Sequence, residues 1–109
     1  MPTRLEQLLS FYADDPNDPF TIYAIATEYR AAEPHRAMTY YQTLLDEHPE
    51  YVGTYYHAGK LLEQLQKPEE AEKVYRRGLQ VSRKAGQLHA ASELQQALNS
   101  LLGLDYEDE

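Results

Sequence analysis

Cysteine is missing altogether, which removes disulfides, thiolate metal sites and cysteine nucleophiles together. Glycine is scarce and dispersed, five in 109 residues, with none grouped into the Gly-rich loop that cradles phosphate. No apolar run approaches the roughly 20 residues that a membrane helix needs. The opening MPTRLEQLL lacks the apolar core and cleavage site of a signal peptide. Basic residues are outnumbered, ten against 18 acidic ones, for a formal net charge of -8. That balance argues against general nucleic-acid binding, because phosphate affinity needs local positive charge. The expectation is a soluble, cytoplasmic protein that engages neither nucleic acid nor membrane.

Catalytic machinery is missing as well. Ser10, Ser82, Ser92 and Ser100 have no nucleophile-elbow motif around them. The carboxylates fall in turns and at helix starts, as Glu69 and Glu70 do after Pro68, where the helix dipole favours them. His35, His48, His57 and His89 are expected on the surface or in a groove, since a metal site needs converging ligands. No enzyme, metal or cofactor is expected.

What is present is periodic. At 12.6 kDa the chain suits one small domain, here read as 1–103. Its centre is Val52 to Ala85, which reads as two amphipathic helices joined by a short turn. Tyr55, Ala58, Gly59 and Leu62 share one helical stripe, and Ala71, Val74, Tyr75, Gly78, Leu79 and Ser82 share another. Small residues stand where the two helices must approach closely, and tyrosines stand where a gap needs filling.

The same pattern occurs once more upstream. Ile22, Ile25, Ala26 and Tyr29 precede Tyr55, Ala58, Gly59 and Leu62 by 33 positions. Pro34, Ala37, Tyr41 and Leu45 precede Pro68, Ala71, Tyr75 and Leu79 by 34. The first copy is therefore one residue shorter in its turn, between Arg30 and Pro34. Repeat one spans 19–51 and repeat two spans 52–85.

The ends differ from the repeats. Thr3 to Glu6 fits a capping box and starts a leading helix over 2–14, with Leu5, Leu8, Leu9 and Tyr12 on one stripe. Asp18 can cap the following helix, with Pro19 in its first position. Gly86 suits a helix C-cap. A last helix over 87–102 carries Leu88, Ala91, Leu94, Leu98, Leu101 and Leu102, and matching it to the repeat needs a shift of about two residues. It reads as a terminal cap, followed by an acidic tail over 104–109.

The Val52–Ala85 stretch resembles the tetratricopeptide repeat, a helix–turn–helix unit of about 34 residues. Tyr55 stands at the usual opening aromatic, whereas Arg83 stands at the usual closing proline. The resemblance implies an all-α fold, a right-handed helix–turn–helix solenoid of about six antiparallel helices. It also implies a protein or peptide partner held along the concave face, which the first helix of each pair lines. The residues expected there are Phe20, Tyr23, Thr27 and Arg30 in repeat one, with Tyr56, His57, Lys60 and Glu63 in repeat two. Some family members clamp the terminal carboxylate of chaperone tails with Lys, Asn and Arg. Here Thr27 and Lys60 stand at the relevant turn and no asparagine accompanies them, so that role is not expected. Leu88, Leu101 and Leu104 leave room for a weak homo-oligomer through the last helix.

Overall fold

The computed structural model describes residues 1–104, and among them there are six α-helices and no strand. They are α1 (Arg4–Asp14), α2 (Pro19–Tyr29), α3 (Pro34–Glu47), α4 (Gly53–Gln64), α5 (Pro68–Lys84) and α6 (Leu88–Leu101). None is long and apolar enough to cross a membrane. The chain divides into two compact units between Tyr51 and Val52, where the second copy of the sequence pattern begins. From residue 105 onward the acidic tail lies outside the described residues.

Local chemistry sets where the helices start. The Thr3 side chain accepts from the Glu6 amide while Glu6 accepts from the Thr3 amide, completing the capping box. The Asp18 carboxylate accepts from the Phe20 amide at 3.2 Å and from the Thr21 hydroxyl at 2.7 Å. Pro19, Pro34 and Pro68 open α2, α3 and α5, where a missing N–H costs nothing.

Helix ends explain the one-residue difference between the two copies. After α4, the Lys67 amide reaches back to the Leu62 carbonyl at 2.8 Å, with Gln66 left-handed at φ 64°. The same closure ends α5, from Gln87 to Ser82 around Gly86, and α6, from Leu104 to Asn99 around Gly103. These are Schellman closures, which need one residue at positive φ. In the first copy the Glu33 amide instead bonds the Tyr29 carbonyl at 2.7 Å, one residue closer. The position missing from repeat one is thus the left-handed residue itself.

In the first unit α2 is the central element. It buries Ile22, Ile25, Ala26 and Tyr29 against Ala37, Tyr41, Leu44 and Leu45 of α3, and α1 packs on it with Leu8 buried. In the second unit α5 is central, packed against both α4 and α6. Tyr55, Ala58, Leu61 and Leu62 face Ala71, Tyr75 and Leu79, while Ala91, Leu94, Ala97 and Leu98 close the other side. The close approach is literal. A methyl group on Gly59 would overlap the Tyr75 ring, and one on Gly78 would lie 2.5 Å from the Tyr55 Cβ.

Arg83 lets α5 run to Lys84, so that it has 17 residues against 14 in α3. The burial of Ala91, Leu94 and Leu98 on α6 repeats that of Tyr55, Ala58 and Leu62 on α4, displaced by 36 positions. That is the two-residue shift seen in the sequence.

Candidate functional site

The first helix of repeat two presents a mixed aromatic and basic surface. Tyr56 is half-buried, and the Lys60 ammonium lies 5.8 Å from its ring centroid, within cation–π range. The His57 ring meets Tyr56 edge-on at 5.4 Å. Tyr56 and Lys60 stand at a recess of about 220 Å³ whose other wall is α6, through Glu93, Gln96, Ala97 and Ser100. The last helix therefore forms the second wall of this recess. Sequence reasoning missed these four residues because the two-residue shift hid the equivalence of α6 to α4. Applying that shift to His57 and Lys60 would have found Glu93 and Gln96, but not Ala97 or Ser100.

Glu63 behaves differently from the expectation. Its carboxylate accepts a 2.5 Å hydrogen bond from the Tyr75 hydroxyl of α5, so it serves the helix pair. Burial, followed by this bond and the nearby carboxylate charge, raises the Tyr75 pKa far above the ordinary tyrosine value.

The corresponding residues of repeat one have other surroundings. Phe20 is 64% exposed at the start of α2. Tyr23, the counterpart of Tyr56, packs edge-on to Tyr41 at 6.2 Å and beside Tyr51 at 5.7 Å. Desolvation, then Tyr41 and Tyr51, raises its pKa. The Thr27 hydroxyl donates back to the Tyr23 carbonyl at 3.0 Å, and Arg30 is half-buried just beyond α2. Tyr23 thus packs against two other rings while remaining half-buried, and Phe20 is the more exposed ring of that helix.

One pairing escaped the sequence reading of the histidines. His89 Nε2 lies 3.4 Å from the Glu93 carboxylate one helical turn away, an exposed pair. Among the described residues no three His, Asp or Glu side chains converge as a metal site.

No protein-family model matches the chain, and no curated protein matches it either. Solved structures do. The solution structure of a tetratricopeptide repeat domain protein from Salinibacter ruber is 41% identical, covering 87% of this chain and 97% of its own, with a TM-score of 0.77. The chain belongs to the tetratricopeptide repeat family. A crystal structure of a Salinibacter ruber tetratricopeptide repeat domain agrees, at 42% identity, 81% and 100% coverage and a TM-score of 0.76. A Bordetella parapertussis protein in solution shares the fold alone, at 22% identity, 96% and 92% coverage and a TM-score of 0.81. Helices α2–α3 and α4–α5 pack as pairs and correspond to the two copies of the sequence pattern.

Proposed function

We propose that this chain is a non-catalytic interaction module that holds an extended peptide or partner helix along α4, in the recess shared with α6. Tetratricopeptide repeat domains generally mediate protein–protein contacts, which supplies the coarse reading. The observation that carries the finer one is the Lys60 ammonium over the Tyr56 ring at the mouth of that recess. A tyrosine ring offers apolar area at small entropic cost, and Lys60 offers charge to an acidic group on the ligand. Glu93 and Gln96 face them with acceptors and donors for a ligand backbone. His57 flanks the ring, and in the first unit Phe20 offers apolar contact while Tyr23, Thr27 and Arg30 shape the α2 surface. Glu63 drops out of the contact set because it holds Tyr75.

The test is a peptide selected from a random library against the intact chain. Its affinity should fall about tenfold with Tyr56→Ala or Lys60→Glu, the loss of one anchor of about 1.4 kcal/mol. Unchanged affinity in both variants would remove the reading.

Self-association through α6 is the second reading, supported by Leu88 at 74% and Leu104 at 46% exposure. Between the ends of α6 the surface is polar. Gln95 bonds Asn99 at 2.9 Å and accepts from Arg83 at 3.0 Å. Such a polar strip limits any dimer to weak affinity. Sedimentation at two concentrations, with Leu88→Asp as the comparison, decides it; a strict monomer at high concentration excludes it.

A further inference from the structure

A cleft of the first unit lies between α1 and α3 at the end of α2. It encloses about 800 Å³, within the roughly 300–1,000 Å³ usual for ligand sites. Three tyrosines form its aromatic wall. Tyr12 meets Tyr40 edge-on at 5.7 Å and 76°, and Tyr40 stacks on Tyr29 at 5.8 Å and 23°. Tyr12 and Tyr40 are half-exposed, so their rings face both protein and solvent.

Packing alone does not require these rings. In repeat two the positions of Tyr29 and Tyr40 hold Leu62 and Val74, and the helix pair closes there without them. The cluster also already holds a cation: the Arg36 guanidinium sits 5.4 Å over the Tyr29 ring and pairs with Glu33 at 3.5 Å. The Arg36 charge reaches Tyr40 as well, so this wall already accommodates one cation. The field around the cleft is negative, since residues 1–51 contain nine acidic and three basic side chains, a formal charge of -6. Electron-rich aromatic rings in an acidic unit attract a positive charge and repel an anion.

We propose that the α1–α3 cleft binds a cationic side chain, a lysine or arginine carried on an extended basic peptide segment. The charged head lies against Tyr12 and Tyr40, and the Thr39 and Thr43 edge of α3 runs beside the ligand backbone. Its lining shares no residue with the α4–α6 recess, and the proposal does not rest on that recess.

Four capped pentapeptides, Gly-Ser-X-Gly-Ser with X lysine, arginine, norleucine or glutamate, provide the probes. They are titrated into the intact isotope-labelled chain and followed by amide chemical shifts. Lysine and arginine peptides should move the amides around Tyr12, Glu33 and Tyr40, and bind about fivefold more tightly than norleucine. The preference should shrink as salt is raised. Tyr12→Leu, on the half-exposed α1 side, should remove it while circular dichroism stays unchanged. If that variant loses helicity, Glu33→Gln should still lower affinity for both cationic peptides. Equal binding of norleucine, preference for glutamate, or shifts confined to other residues would each overturn the proposal.

Discussion

The Tyr75 ring lies directly against the Cα of Gly59, in space that any side chain at position 59 would occupy. The contact is reciprocal across the helix pair, since Gly78 of α5 lies against Tyr55 of α4. Both glycines sit in ordinary helical backbone, so closeness alone is what requires them. Gly59→Ala should destabilise the chain by about 1–3 kcal/mol through overpacking, although alanine is the better helix former. Ala71→Leu, on the facing stripe and fully buried, should cost a similar amount. Urea denaturation of both variants measures it, and an unchanged midpoint would show that the seam is misplaced.

Tyr41 and Tyr75 are equivalent and buried, but their hydroxyls fare differently. Tyr75 donates to Glu63, whereas the buried Tyr41 hydroxyl has no hydrogen-bond partner among the described residues. The position equivalent to Glu63 is Arg30, which has no acceptor to offer. Tyr75→Phe should therefore cost about 1–2 kcal/mol, and Tyr41→Phe should be neutral or stabilising. Parallel urea curves check the contrast, and equal losses would contradict it.

Alkaline pH should weaken the fold. Burial is the first cause of the raised pKa at Tyr23, Tyr40, Tyr51 and Tyr75. Above the ordinary value of 10.0 the folded chain keeps phenol protons that the unfolded chain releases. Stability therefore falls as pH rises through that value, by at most about 1.4 kcal/mol per pH unit for Tyr75. Denaturation at pH 8 and pH 11 should show the decline, and Tyr75→Phe should make it shallower.

Gln66 occupies a left-handed position that glycine fills at the equivalent closures after α5 and α6. Gln66→Gly should raise stability by about 1 kcal/mol by relieving the Cβ clash. Thermal unfolding reads this as a higher Tm, and a lower one would contradict the turn assignment.

Most of the fold was legible because its determinants are local. Thr3, Asp18 and the three prolines mark helix starts, and the stripes of Ile22 and Tyr55 give the core faces. The site was legible only in part. Spacing places Tyr56 and Lys60 on one face, and that face does carry the pair. Spacing could not show that Glu63 turns to the Tyr75 hydroxyl, which lies twelve residues away across a helix seam. Nor could it separate Tyr23 from Tyr56, because Tyr51 has no aromatic counterpart after α5. Tyr12 and Tyr29 read as stripe residues, and only the contact of Tyr12 on α1 with Tyr40 on α3 makes them part of a cleft wall.

A partner seated on the α4 surface, in the recess shared with α6, would alter the surroundings of Tyr56, Lys60, Glu93 and Gln96. Amide shifts of the intact labelled chain, recorded while a library-selected peptide is added, test it most directly. The largest shifts should fall at Tyr56, His57, Lys60, Glu93 and Gln96, with binding weakened about tenfold in Lys60→Glu. Shifts confined to the outer face of α5, with Lys60→Glu binding as tightly as the parent chain, would contradict it.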